Sequence, residues 1–150
     1  VQFISIKPYK IVVSGRIKHF ISAFGEHVIG KEVEEAMKQA IEGTDARINE
    51  FTVAPQINPE NKELPYHEWL IEFEHPPSDL KKFISILDTT LQKQNSYYFD
   101  LIEGKILQTL KKDGFQEYMK SIGKLGGQNK VQRLSNDRKV AEALRNSFSK

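Results

Sequence analysis

The chain has 150 residues, with 22 Lys plus Arg against 20 Asp plus Glu, a net charge of +2 and no Cys. That length and a 39% hydrophobic content fit one domain with a real core and exclude wholesale disorder, while the balanced charge argues against a dedicated nucleic-acid binder. No apolar run approaches about 18 residues, so no membrane span is expected; no signal-peptide pattern is present; and the lack of Cys rules out disulfides and thiolate metal sites and agrees with a cytoplasmic setting.

His19, His27, His67 and His75 show no metal-ligand spacing, so no metal site is expected. The chain starts at Val1, already inside the apolar "VQFISI". We therefore expect a piece of a longer chain, or a chain lacking its N-terminal part.

"VQFISI" and "KIVVSG" predict two short strands around Pro8, and "IKHFIS" a third. From Lys31 the period changes. Val33, Ala36, Met37, Ala40 and Ile41 recur on one face of a helix, with Gly43 a plausible stop. "RINEFTVAP" predicts a strand, and residues 55–65 a polar loop. In "YHEWLIEFEH", His67, Trp69, Ile71 and Phe73 alternate with Glu68, Leu70, Glu72 and Glu74, which predicts one dry and one wet face. Pro76 and Pro77 end that strand. Ser78 or Asp79 can cap a helix whose apolar face is Leu80, Phe83, Ile84, Leu87 and Leu91.

"SYYFDLIEG" is ambiguous, and "KILQTL" is a candidate strand. Phe115, Tyr118, Met119 and Ile122 mark a short helix begun near Asp113. "GKLGGQNKVQRLSNDR" is a polar, Gly-bearing loop, and residues 137–148 form a last amphipathic helix through Val140, Leu144 and Phe148. The middle of the chain reads strand, helix, strand, strand, helix, strand. That order predicts an α+β fold: a ferredoxin-like split βαβ antiparallel sheet with helices packed on it, plus N-terminal strands and C-terminal helices.

Two stretches carry a resemblance. "GRIKHFISAFGEHVIGKEVE" keeps the spacing G-R-x-K-x-x-I-x-x-x-G-x-x-V-x-x-x-E-V-E. It resembles the hinge motif opening the C-terminal domain of the adenylate-forming superfamily, at Gly15, Arg16, Lys18, Ile21, Gly25, Val28, Glu32 and Glu34; Gly30 stands where that motif usually has Pro. "SGRIKHFISAFGE" and "GGQNKVQRLSNDR" are closer to one branch, the auxin-responsive acyl-acid amido synthetases of plants and their bacterial relatives. The resemblance covers nearly the whole chain and implies one domain over residues 1–150, the C-terminal lid. The N-terminal domain that binds ATP and the acyl acid would be absent from this chain.

The same resemblance implies the chemistry. The family uses ATP with Mg2+, held mainly by the N-terminal domain, to turn a carboxylic acid into an acyl-adenylate, then joins it to an amino acid. The lid swings between these half-reactions. The implied partners are the N-terminal domain and the two substrates, with no nucleic acid and no membrane. Lys130 in "GGQNK" matches the family's catalytic lysine, with Lys124 a competitor. Gly126 and Gly127 would let the loop approach phosphate, and Arg16 would offer a donor fork to a ribose or phosphate oxygen. Ser14, Gly15 and Lys18 would form the hinge.

Plainer readings stand beside these. Arg16 also suits a turn residue paired with Glu26, and Glu32, Glu34 and Glu35 suit the first turn of a helix. Trp69, Tyr97, Tyr98 and Phe99 read as core. The alternatives to a lid are a free-standing ferredoxin-like module for a small ligand or a protein partner, and a weak nucleic-acid binder using the basic C-terminal stretch.

Overall fold

The structure is a computed structural model that describes residues 2–6, 9–12, 20–21, 28–57, 66–96, 98, 105–126 and 129–149. In chain order the elements are β1 (Gln2–Ile6), β2 (Tyr9–Val12), β3 (Phe20–Ile21), β4 (Val28–Ile29), α1 (Gly30–Glu42), β5 (Arg47–Gln56), β6 (Tyr66–His75), α2 (Leu80–Gln94), β7 (Lys105–Thr109), α3 (Gly114–Ser121) and α4 (Lys139–Phe148). β1 and β2 form an antiparallel pair, and β3 pairs with β4 over two residues.

The frame is a three-stranded sheet in the order β5-β6-β7. β5 and β6 run antiparallel, with Phe51 opposite Ile71 and Val53 opposite Trp69. β7 lies parallel to β6, with Leu107 beside Trp69. The architecture is α+β with helices packed on the sheet, as expected, but the sheet is mixed rather than antiparallel throughout. In a split βαβ a further strand separates the two strands joined by a helix. Here β6 and β7 are direct neighbours, and β3, the remnant of the expected "IKHFIS" strand within the described residues, pairs with β4 instead.

Alternate side chains of β5 and β6 point to one core, the alternation shifting at the irregular start of β5, where Ile48 packs on this core and Asn49 reaches Glu72 on the other face. Phe51, Val53, Trp69, Ile71 and Phe73 pack against Val33, Ala36, Met37 and Ala40 of α1 and Phe83, Leu87 and Leu91 of α2. The 3.6-residue period found in the sequence thus marks the buried faces of both helices. Leu80 departs from it, at 42% exposed in the first turn of α2. Tyr98 and Trp69 are core residues; Tyr97 and Phe99 lie outside the described residues. Glu32 does more than place charge in the first turn of α1. Its Oε2 accepts the Ile29 amide at 3.0 Å and the Asn95 side-chain amide at 3.3 Å, joining the start of α1 to the end of α2.

The second face of the sheet overturns the expectation of a wet surface. Ala54 and Leu70 pack there against Leu110, Phe115, Ala141 and Leu144, so α3 and α4 form a third layer. Glu68 and Glu72 are consequently buried, and of the four even positions only Glu74 stays exposed. Burying a carboxylate is costly unless charge or hydrogen bonds meet it. Glu68 Oε2 accepts from Arg138 Nη2 at 2.6 Å, and the same guanidinium donates to the Pro55 carbonyl at 3.2 Å. Glu72 is met by three neutral donors. Its Oε1 accepts from Asn49 Nδ2 (3.0 Å) and the Asp113 amide (2.9 Å), and its Oε2 from the Phe115 amide (3.1 Å).

Two stability predictions follow from this layering. Arg138→Met, which strands the buried Glu68 carboxylate, should destabilise the chain by about 3–5 kcal/mol in chemical denaturation, and adding Glu68→Leu should recover most of that loss. Gly30 is the first residue of α1, where Pro is favoured, and Ile29 before it is extended at φ −107° and ψ 160°, as a residue preceding Pro must be. Gly30→Pro should therefore raise the unfolding free energy by about 0.4–1 kcal/mol.

Candidate functional site

The loop bearing Lys130 is strung between two fixed points. The first is the end of α3. Gly123 takes φ +70°, its amide donates to the Lys120 carbonyl at 3.0 Å, and the Lys124 amide donates to the Met119 carbonyl at 2.8 Å. This paired closure stops the helix and needs a left-handed residue after its last turn, which glycine supplies without strain. The second is the outer edge of β5. The Val53 amide donates to the Arg133 carbonyl (2.9 Å), the Ser135 amide to the Val53 carbonyl (3.1 Å), and Thr52 Oγ1 to the Gln132 carbonyl (2.7 Å). Leu134 is buried in the α1/α2 core. Pro55 shares the outward side of this edge with Val53, so its missing N–H leaves the ladder to β6 intact.

Between these points Gly126 takes φ +87°, and its carbonyl accepts from Asn129 Nδ2 at 3.3 Å. Lys124 and Lys130 are exposed. Both line an open groove of about 600 Å3 together with Glu50, Glu72, Glu74, Asp113, Phe115 and Met119. Both also line a second groove, of about 840 Å3, on the side facing Glu34, Tyr118 and Arg133. Burial, and behind it the charge of Asp137, pushes the Tyr118 hydroxyl above its usual pKa.

The cations around this loop fall into two kinds. Arg133 donates through Nε to Glu50 (2.9 Å) and through Nη1 to Glu34 (3.3 Å), and lies over the Phe51 ring at 5.2 Å. Burial alone would lower the pKa of this guanidinium, but the Glu50 and Glu34 carboxylates outweigh it and raise the pKa. Arg138 is held by Glu68 and, at 3.5 Å, by Glu142. Lys124 and Lys130 have no ion-pair partner among the described residues. A planar fork suits fixed, multidentate ties, whereas an ammonium on a flexible stem can turn to a transient anion. Lys124 and Lys130 can therefore turn to an anion without breaking an ion pair to any described residue.

The structure brings Gly126 and Lys130 together on this loop and places Lys124 beside them. Gly127, Arg16, Ser14, Gly15 and Lys18 lie outside the described residues. The ties of Arg133 and the cap supplied by Glu72 were not legible beforehand. The only sequence signals for them were a basic residue in "KVQRLS" and one Glu in an alternating strand. Among the described residues no group of three or more His, Asp or Glu is arranged to hold a metal ion, and no helix is long and apolar enough to cross a membrane.

Residues 31–139 match the GH3 family C-terminal domain, so the chain belongs to the GH3 family through that domain. The fold is similar to that of two solved structures. One, titled GH3.15 acyl acid amido synthetase, has a TM-score of 0.67 and 15% identity, covering 89% of this chain and 27% of that one. The other, titled AtGH3.15 acyl acid amido synthetase in complex with 2,4-DB, has a TM-score of 0.65 and 16% identity, covering 89% of this chain and 26% of that one. The chain thus spans about a quarter of the length of each. A search of curated protein sequences finds no match.

Gly126 gives the loop a direct test. A Cβ there meets nothing within 4 Å, so the cost of a side chain is confined to the left-handed backbone. Gly126→Ala should lower stability by about 1–2 kcal/mol in thermal or chemical unfolding, and amide exchange should quicken within residues 124–131 while the sheet stays protected.

Proposed function

We propose that this chain is the mobile C-terminal lid of an ATP-dependent acyl acid amido synthetase. In this reading an N-terminal adenylation domain of the same protein holds ATP, Mg2+ and the carboxylic acid, and the lid completes the site. The acid's carboxylate attacks the α-phosphorus, pyrophosphate leaves, and an amino acid's amine then displaces AMP to form the amide. Membership of the GH3 family supports the class of enzyme. The observation that carries the role of this domain is Lys130: an exposed ammonium with no ion pair among the described residues, in a segment that leaves the closed end of α3, passes a left-handed glycine and returns to the edge of β5.

The electrostatics fit that role. Adenylation drives an anionic carboxylate against a polyanionic triphosphate, and fixed positive charge must offset the repulsion as negative charge builds on the departing pyrophosphate. Lys130 supplies such a charge in the first half-reaction and leaves with the lid before the second. Gly126 and Gly127 let the backbone come close to phosphate. Arg16 holds a ribose or phosphate oxygen, and Ser14, Gly15 and Lys18 supply the pivot.

Lys130→Ala in the full-length enzyme should slow pyrophosphate release by about 10²–10³-fold. Amide formation from preformed acyl-adenylate should change far less, and stability hardly at all, because an exposed, unpaired lysine contributes little to folding. Separate assays of the two half-reactions decide the matter. Equal loss in both would assign Lys130 a structural role, and full activity in both would move the function to Lys124 or remove it from this loop.

A further inference from the structure

Asp113 stands at the N-cap of α3 in a left-handed conformation, φ 62° and ψ 12°, and its own side chain makes no capping bond. Two amides at the start of this eight-residue helix, those of Asp113 and Phe115, are met from the sheet instead, by Glu72 of β6. Glu72 therefore does for α3 what a capping side chain ordinarily does from the adjacent position, adding full negative charge at the positive end of the helix. The same carboxylate accepts from Asn49 Nδ2, which ties α3 to β5 as well as to β6.

From that fixed start α3 runs to Gly123 and Lys124, where its paired closure launches the loop carrying Gly126 and Lys130. Glu72, Asp113, Phe115 and Met119 line the same groove as Lys130. One end of the lysine loop is anchored to β5 through residues 132–135. The other follows α3, whose start is capped by Glu72 and whose Phe115 packs with Ala54, Leu70, Ala141 and Leu144. We propose that Glu72, by capping α3 from the sheet, is the positioning residue that sets the approach of Lys130 to the anionic groups it stabilises. This rests on the adenylation reading above. It adds that the placement of the loop, and so the rate of the first half-reaction, depends on a buried carboxylate that never touches substrate.

The test compares Glu72→Gln with Glu68→Gln in the full-length synthetase. Glu68 is buried on the same sheet face but lines neither groove, and its partner Arg138 keeps Glu142 and the Pro55 carbonyl. In Glu72→Gln one acceptor oxygen becomes an NH2 facing backbone N–H groups. The kcat for pyrophosphate release should fall about 10²-fold, the scale of a displacement of about 1 Å in a positioned group. KM for ATP should shift much less, and amide formation from preformed acyl-adenylate should stay within about 3-fold. Amide exchange should speed up across residues 113–126. Glu72→Asp, which keeps the charge and both oxygens, should recover part of the rate. Glu68→Gln should lower the thermal midpoint without separating the half-reactions.

Normal adenylation in Glu72→Gln, equal loss in both half-reactions, or the same selective loss in Glu68→Gln would overturn the inference. Should Glu72→Gln not fold, the exposed Asn49→Ala takes its place. It should show a smaller adenylation loss with faster exchange at Asp113, and wild-type behaviour in both would overturn the proposal. A wild-type enzyme that releases no pyrophosphate with ATP and any acid would overturn the adenylation reading instead. The exchange rates of 113–126 would still decide whether Glu72 holds this segment.

Discussion

Two carboxylates buried on one sheet face set the organisation of this domain. The α1/α2 side of the sheet is a large apolar core and would hold those elements together through hydrophobic burial. The opposite side offers much less. Ala54 and Leu70 are its buried apolar contributions from β5 and β6, and the alternate positions of β6 are Glu68 and Glu72. Covering that face with helices is possible only if each carboxylate is met. Arg138 meets one, at the N-cap of α4, and the start of α3 meets the other. A buried pair of this kind adds little net stability over an apolar substitute, yet losing one member is costly. The docking of α3 and α4 is thus specified by polar complementarity as much as by contact area, and a slip of either helix would leave a carboxylate unmet.

That specification reaches the candidate site through the backbone. α3 is short, capped from the sheet at one end and closed by Gly123 at the other, so it acts as a strut between β6 and the Lys130 loop. On the far side, residues 132–135 pair with β5 through Val53, and Arg133 gathers Glu34 of α1 and Glu50 of β5. Each of these half-exposed ion pairs is weak by itself. Their convergence on one guanidinium, together with the buried Leu134, fixes where the loop returns to the fold. The left-handed Gly126 and Lys130 lie between these ends, and neither Lys124 nor Lys130 has an ion pair among the described residues.

Local pattern reveals most of the elements, because helical period is a property of neighbouring residues. α1, α2 and α3 stand where their apolar repeats put them, and the Gly-bearing loop before Lys130 was visible as a loop. What failed was the reading of β6. Alternating Glu records polarity, and polarity usually means solvent. It cannot show that Arg138, 70 residues further on, and the backbone amides of a distant helix will replace that solvent. The direct pairing of β6 with β7 was hidden for a similar reason, since neighbours in a sheet are chosen by non-local contacts. The bridge from Leu134 to Val53 involves a single residue pair and leaves no period to detect.

The division of labour among the cations bears on how such a domain could work as a moving part. Sending Arg133 to a phosphate would forfeit ties to two carboxylates and loosen the return of the loop to β5; sending Arg138 would strand the buried Glu68. In the proposed reading Lys130 would break no ion pair to a described residue on engaging a polyanion and restore none on withdrawing, so its transfer would cost mainly solvation and side-chain freedom. Reversible engagement in the proposed adenylation step needs that near-symmetry, because a charge too strongly held on either side would trap the lid there. In the proposed reading the arginines would belong to the architecture and the lysines to the exchange, and Glu72 would be where the architecture fixes the point from which the lysine reaches out.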